Sequence, residues 1–408
     1  MVRTLAEVAP APRPVAAPRR KPVRVGIVAD FVEERWPSMD LAAELTEMGI
    51  DRYGGGAFDP EILRPAMPRI RGRFGPAEAS ASNVDRYLGR YVAYPRWLRR
   101  RARDFRIFHV IDHSYAHLVD HLPNKPVVVT CHDLDAFRSL VGPEREARPW
   151  WFRATMKRVM AGLGHAAHVI CDTGAVRDQL VELGLADPQR LTVVPLPVHP
   201  DFAPDPDSAA DAEAARLLGP ADGSAIDLLH VGINVPRKRL EFLLRIFAAL
   251  RERHPALRLV RVGGRLSAEQ RELCGELGIP LDRVAELPFI SRPVLAAVYR
   301  RAAAMLATSK REGFGWPVVE AMACGTPVVA SDLRVFREVG GEAVTYVPVR
   351  DLQAWVETVD RLILDRGDRR QWAGRREAAL ERADAFSLES YARGVLAVYR
   401  QVLGMREG

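Results

Sequence analysis

Ser309-Lys-Arg-Glu-Gly-Phe-Gly-Trp-Pro-Val-Val-Glu-Ala-Met-Ala-Cys-Gly-Thr-Pro-Val-Val-Ala-Ser-Asp332 is the stretch on which the reading of the whole chain turns. It follows an apolar run, 303–307, that reads as a buried strand. Gly313 and Gly315 let a backbone approach a ligand closely. Pro317 suits the first turn of a helix, whose opening N–H groups, from Gly315 to Val319, are then expected to point at an anion with the helix dipole behind them. Glu312 stands on the loop and Glu320 about one turn inside the helix. Two carboxylates flanking an anion site suit a ligand with both hydroxyls and phosphates, because carboxylates accept hydroxyl hydrogen bonds well.

A second segment points the same way: Leu229-His-Val-Gly-Ile-Asn-Val-Pro-Arg-Lys-Arg-Leu-Glu-Phe-Leu-Leu244. A strand is expected to end at Gly232, and a short loop to lead into a helix over 237–253 whose first turn carries Arg237 and Lys238. Cations at a helix N-terminus oppose its dipole. The placement makes sense if a di- or triphosphate sits between them, Arg offering a planar fork and Lys a point charge.

Outward from these segments, short apolar β-branched runs recur, each followed by a turn and a helical pattern. They fall at 23–29, 107–111, 127–131, 168–171 and 191–196, then at 226–231, 257–262, 284–287, 303–307, 327–330 and 343–347. Runs apolar on both faces read as strands of parallel sheets, and the alternation with helices such as 38–48, 175–183 and 351–364 predicts doubly wound α/β domains. Residues 199–224 carry four prolines and six acids, which predicts a linker over 201–224 with a short helix near 209–218. The expected organisation is a disordered tail (1–22), a first Rossmann-like domain (23–200), the linker, a second Rossmann-like domain (225–385), and a C-terminal helix (386–408) crossing back to the first domain. Ligands in such sheets bind beyond the carboxyl ends of the strands, here in an interdomain cleft.

The composition, 48% hydrophobic and 27% charged over 408 residues, excludes a largely disordered or collagen-like chain. The longest stretch without Asp, Glu, Lys or Arg is 159–171, too short to span a bilayer. The segment 1–22 holds five prolines and five basic residues and no apolar run of signal-peptide type. Cys131, Cys171, Cys274 and Cys324 show no metal spacing and read as buried thiols of a reducing, cytoplasmic setting. The net charge of +7 is concentrated between Arg86 and Arg106, where eight arginines meet one acid and five aromatics. That stretch is either a solvated basic face or a contact for phosphates, including those of an anionic membrane surface.

The segment from Glu312 to Ala330 resembles the signature of the retaining family 4 glycosyltransferases, enzymes of GT-B fold that use nucleotide-sugar donors. The stretch from Val231 to Arg239 resembles that family's donor-phosphate loop, Val262-Gly263-Gly264 its next strand edge, and 287–299, with Ile290, the segment whose backbone holds the base. Val128-Val-Thr-Cys-His-Asp-Leu134 resembles its Thr-x-His-Asp-Leu element. The resemblance covers about 24–400 and is looser in the first half. It implies that Glu312 bonds sugar hydroxyls, that Phe314 and Gly315 meet the sugar through backbone, and that Arg237 and Lys238 neutralise the diphosphate. Gly232, Gly263, Gly264, Gly313, Val318 and Val319 would complete the donor site, Glu320 would bind the ribose, and His132 would stand near the transferred sugar. Arg35, Trp36 and His113 fall on the acceptor side. No cofactor, metal or nucleic acid is implied; the partners are a nucleotide-diphosphate-sugar and a glycan or lipid-linked glycan acceptor. A binding protein that keeps the donor site without turnover is the alternative.

Other signals carry less. His109, His113, His117 and His121 recur every fourth residue, but the strand at 107–111 breaks any helical stripe; His109 and His113 are candidates to line the cleft. Asp133-Leu-Asp135 matches a short metal motif of another glycosyltransferase fold and is set aside. Ser38 reads as the cap of the helix after the first strand. Arg239 stands where Gly or Asn is common in the family, and Trp316 where a smaller apolar residue is usual.

Overall fold

The computed structural model describes residues 21–68, 83–141, 148–221 and 225–405. Nearly all of the expected tail, 1–20, and the last linker residues, 222–224, lie outside them. The first sheet comprises β1 (Val23–Val28), β2 (Phe58–Leu63), β3 (Ile107–Val110), β4 (Val127–Cys131), β5 (His168–Cys171) and β6 (Leu191–Val193), in the order β2-β1-β3-β4-β5-β6. The second comprises β7 (Ile226–Val231), β8 (Leu257–Val262), β9 (Val284–Leu287), β10 (Ala304–Ala307), β11 (Val328–Ser331) and β12 (Val344–Val347), in the order β12-β11-β10-β7-β8-β9. Every pairing is parallel.

Strands β3, β4 and β5 are buried at every residue, which is why they read as largely apolar runs, each with one buried polar residue, His109, Thr130 and His168. Strand β2 was not legible. Its sequence, Phe-Asp-Pro-Glu-Ile-Leu, buries only Phe58 and Leu63, and as the outer strand it tolerates Pro60.

Two helix starts differ from expectation. The helix Pro37–Tyr53 begins at its proline, with Trp36 at the N-cap and no side-chain cap, so Ser38 lies inside the first turn. The helix expected over 237–253 is split. Arg237 and Lys238 lie on a separate 3-10 turn, Pro236–Lys238, and the α-helix starts at Leu240 after Arg239 takes a left-handed φ of 55°. The two cations are therefore not in the first turn of that helix.

The segment read as a linker is packed. Asp207 caps the helix Ser208–Leu218, which buries Ala210, Ala214 and Leu218. Arg300 reaches Asp211 at 2.7 Å, and Phe202 meets Tyr299 edge-on at 5.9 Å. The C-terminal helix, Leu388–Leu403, lies on Pro37–Tyr53 of the first half: the hydroxyls of Thr46 and Tyr391 are 2.7 Å apart, and Tyr399 bonds His109 at 2.8 Å. One apolar cluster runs from Val25 and Ile27 through Phe314 and Trp316 to Val395, joining the two halves.

Candidate active site

β7 and β10 are hydrogen-bonded neighbours, so the loops leaving their carboxyl ends rise side by side. The Lys310 N–H donates to the Arg237 carbonyl at 2.8 Å, and the Thr308 hydroxyl to the Lys238 carbonyl at 2.9 Å. Glu312 is thereby brought between the two cations. Its carboxylate accepts from Arg237 Nη1 at 2.7 Å, Lys238 Nζ at 2.5 Å and Ser309 Oγ at 2.7 Å. Burial would push the Glu312 acid up, but Lys238 and Arg237 outweigh it and hold it at about 2. Three groups expected to touch a donor are thus an ionised cluster before any donor arrives.

Gly315 takes a φ of 93° at the N-cap of the helix Trp316–Ala323, a left-handed geometry that glycine adopts without strain; a Cβ there would lie 2.7 Å from the Phe336 ring. The expected row of free N–H groups is shorter than the sequence suggested. Pro317 has none, and the Val318 N–H donates to the Gly315 carbonyl at 2.9 Å. Val318 and Val319 are both buried. Glu320, also buried, accepts from the Tyr299 hydroxyl at 2.8 Å. Burial lifts its acid from 4.5 to about 7, against the opposing pull of Tyr299, Lys238 and Arg292. Gly232 and Gly263 meet at the ends of β7 and β8. With φ at 110°, a Cβ on Gly263 would lie 2.6 Å from the Gly232 carbonyl, so only glycine lets these loops touch. Gly264 follows, and Ile290 is half-buried beyond β9. His230, Lys238, Glu312, Gly315, Val318 and Phe336 line one small cavity at this edge.

The first sheet brings a set of acids to its own carboxyl edge. Asp30 follows β1, Asp112 β3, Asp133 β4 and Asp172 β5. The sequence reading missed Asp30, Asp112 and Asp172; their position one or two residues past strand ends was the available signal. His132 donates from Nδ1 to Asp172 at 2.7 Å and from Nε2 to the Ile111 carbonyl at 2.8 Å. Burial opposes its charge, yet Asp172, Asp112 and Asp133 raise it from 6.5 to about 9. The ring is an imidazolium with both nitrogens engaged within the protein. His113 lies beside it, 3.4 Å from Asp112 and 3.9 Å from Asp133. Among the described residues neither oxygen of buried Asp30 meets a hydrogen-bond donor, and burial with Asp112 alongside pushes its acid well up. Arg35 adopts a left-handed φ of 56°, and Trp36 is 46% exposed.

The two edges touch. A Cβ on Gly313 would sit 1.8 Å from the His132 carbonyl, and the Thr173 hydroxyl donates to the Gly313 carbonyl at 3.1 Å. Asp135 lies 3.8 Å from Arg237 and 3.3 Å from Arg311, so the Asp133–Asp135 pair bears on the contact between halves. The four spaced histidines do not converge. His109 is fully buried against Thr130 and Tyr399, so it does not line the cleft. His117 bonds the Arg90 carbonyl, and His121 lies between Arg99 and Arg158. Among the described residues no group of three His, Cys, Asp or Glu could hold a metal ion.

Both departures from the family pattern have structural reasons. Arg239 occupies a left-handed position, where Gly or Asn would be unstrained; its guanidinium stacks 3.9 Å over Phe242 and bonds the Val349 carbonyl. Trp316 crosses to the first half, its indole N–H donating to the Pro197 carbonyl at 2.8 Å.

The profile of the family described as Glycosyl transferases group 1 matches residues 219–378, and that of Glycosyltransferase Family 4 matches residues 39–202. A D-inositol 3-phosphate glycosyltransferase of Mycobacterium sp. (strain KMS) is 34% identical over 68% of this chain and 62% of that protein. The chain thus spans less than two thirds of that relative's length. The protein of the same description from Actinosynnema mirum is 34% identical over 68% of this chain and 67% of its own length. Among solved structures, sucrose-phosphate synthase from Thermosynechococcus elongatus superposes with a TM-score of 0.73 at 21% identity, covering 94% of this chain and 99% of that one. Anabaena HepE in complex with UDP and glucose superposes with a TM-score of 0.71 at 15% identity, covering 93% and 100%. WaaG, a glycosyltransferase involved in lipopolysaccharide biosynthesis, superposes with a TM-score of 0.68 at 15% identity, covering 94% and 100%.

Proposed function

This chain belongs to the glycosyl transferases group 1 family and has the GT-B fold, and from that premise we propose that it moves a hexose, with retention, from a nucleoside diphosphate sugar to an acceptor hydroxyl. The observation that carries the reading is the Arg237–Glu312–Lys238 cluster beside the Gly315 helix start. In transfer, the bond from the sugar's anomeric carbon to the diphosphate oxygen breaks as the acceptor oxygen bonds to that carbon on the same face. The acceptor proton passes to the leaving oxygen. Arg237 and Lys238 meet the charge growing on the diphosphate, the service a divalent metal performs in other transferases. Glu312 exchanges cations for sugar hydroxyls, and Glu320 takes the ribose. His132, both of whose nitrogens are occupied, positions the first sheet's edge against Gly313.

A UDP-sugar is the first donor to test, since HepE was solved with UDP and glucose. On the acceptor side the relatives' description suggests a phosphorylated polyol, but Asp30, Asp112, Asp133 and Asp172 crowd that edge. Carboxyl groups, neutral or ionised, hydrogen-bond hydroxyls well, which favours a glycan or lipid-linked glycan. Arg96, Arg99, Arg100, Arg103 and Arg106 are exposed, and we propose that they meet an anionic membrane face rather than form only a solvated basic surface. Flotation with anionic against neutral vesicles tests that contact, and equal partition removes it.

The test of function is thermal shift against UDP-, GDP-, ADP- and TDP-sugars, then transfer assays with the donor that binds. One base should stabilise the wild type and neither Lys238→Ala nor Glu320→Ala. Absence of stabilisation and of donor hydrolysis with every sugar nucleotide would sink the reading.

A further inference from the structure

Arg261, on β8, is among the largest fully buried side chains of the protein, and among the described residues it makes no direct ion pair, Glu286 attracting it only at longer range. In register it is flanked by His230 on β7 and Glu286 on β9. Glu286 is spent on Arg271, whose Nη2 donates to both its oxygens at 2.8 Å. His230 is buried, its Nδ1 meets no other residue's hydrogen-bonding group among the described residues, and burial with Lys238 and Arg261 nearby keeps it neutral. Among the described residues Arg261 makes one hydrogen bond, from Nη1 to the Gly264 carbonyl, and its Nε and Nη2 meet no acceptor. A buried cation left in this state is costly, and proteins keep such groups mainly where they serve a site.

The location says which site. His230, the neighbour of Arg261 in register, lines the same cavity as Lys238 and Glu312. The Gly264 carbonyl that Arg261 holds belongs to the loop that touches Gly232, where Lys238 packs 3.4 Å from a Cβ placed on that glycine. A peptide unit is planar and trans, so with the Gly264 carbonyl drawn back to Arg261 the Arg265 N–H of the same unit points away from the strand end.

We infer that Arg261 is a positioning residue of the donor-phosphate site: it aims the Gly264–Arg265 peptide N–H outward and adds a third positive charge, behind Arg237 and Lys238, for a nucleoside diphosphate. The inference rests on the donor-site reading above. It assigns the unpaired charge to the bound anion and explains why the row His230–Arg261–Glu286 contains no free carboxylate.

The experiment compares wild type, Arg261→Met and Arg261→Lys in the full chain. Calorimetric titration uses UDP, GDP, ADP and TDP and the matching nucleosides, with the melting midpoint of each unliganded protein alongside. Arg261→Met should weaken the diphosphate that wild type binds by tenfold or more, leave its nucleoside within twofold, and melt no lower than wild type. Arg261→Lys should recover part of the loss. A residue that merely props the loop would lower the melting midpoint and weaken nucleoside and diphosphate alike, which overturns the inference. Diphosphate affinity within twofold of wild type in Arg261→Met also overturns it, as does failure of both variants to fold. Wild type that binds no nucleoside diphosphate would remove the donor-site reading itself, whereas wild-type binding with an unchanged Arg261→Met removes only this inference.

Discussion

The Lys238 ammonium lies 2.5 Å from the Glu312 carboxylate, across 74 residues of chain. On the proposed donor-site reading, a diphosphate arriving here must draw Lys238 and Arg237 from an internal anion. Lys238→Ala should weaken nucleoside diphosphate binding by roughly tenfold to a hundredfold, the range for one charge-assisted hydrogen bond. Glu312→Gln removes the competitor. It should bind the free diphosphate at least as tightly as wild type while transfer falls, because sugar hydroxyls lose their acceptor. Calorimetry beside a transfer assay decides, and equal loss of diphosphate binding in both variants refutes the exchange.

Glu320 carries a pH signature. Its folded value is raised from 4.5 to about 7 by burial, so between those values the unfolded chain is ionised and the folded one protonated. Stability therefore falls as pH rises through that window, by a total on the order of 3 kcal/mol, and then levels. The ribose hydroxyls proposed to bind Glu320 favour the carboxylate, so nucleotide affinity should rise from pH 6 to 8 with release of a proton. Glu320→Gln should flatten both profiles; titrations in buffers of different ionisation enthalpy read the proton directly.

His132 works in the opposite direction. Its imidazolium is favoured in the fold, moving from 6.5 to about 9, so its pairing with Asp172 contributes fully below pH 6.5 and is lost as pH climbs through 9. Asp172→Asn should cost a few kcal/mol at pH 6 and much less at pH 10. Melting curves at the two pH values test this, and a pH-independent cost would show that the charge of the pair is unimportant.

Gly313 limits how closely the two sheet edges approach. A Cβ there would overlap the His132 carbonyl at 1.8 Å, so Gly313→Ala should push the halves apart without unfolding either. Nucleotide affinity should stay within a few-fold, while transfer drops by roughly a hundredfold, the cost of an ångström-scale misplacement of reactants. X-ray scattering should show a larger radius of gyration. The same opening, milder, is expected for Glu338→Ala, since Glu338 accepts the Gly174 N–H at 2.5 Å and that of Ala175 at 3.1 Å across the halves. Unchanged scattering in both variants would refute the contact as a closure surface.

Much of the architecture was legible because its strands are buried on both faces. β3, β4 and β5, with every residue enclosed, announce themselves as largely apolar runs. β2 does not, since an outer strand with four residues only half-covered or exposed needs no such pattern. The break of the helix expected over 237–253 was hidden too, because nothing local in Arg239 favours a φ of 55°; its stacking on Phe242 and its bond to Val349 make that conformation tolerable.

By itself the sequence determined which residues could serve a donor site: Glu312, Glu320, Arg237, Lys238 and the glycines around them lie in local segments whose chemistry and spacing are readable. Tertiary structure alone decided how those groups are paired and charged. Glu312 meets its cations because β7 and β10 are neighbours; Asp30, Asp112 and Asp172 come together from the ends of three strands; Arg261 is left unpaired by its register beside His230 and Glu286. The physical reason is that a side chain's charge state depends on the water it loses and the partners it meets. Both are set by strand order and register, not by its neighbours along the chain.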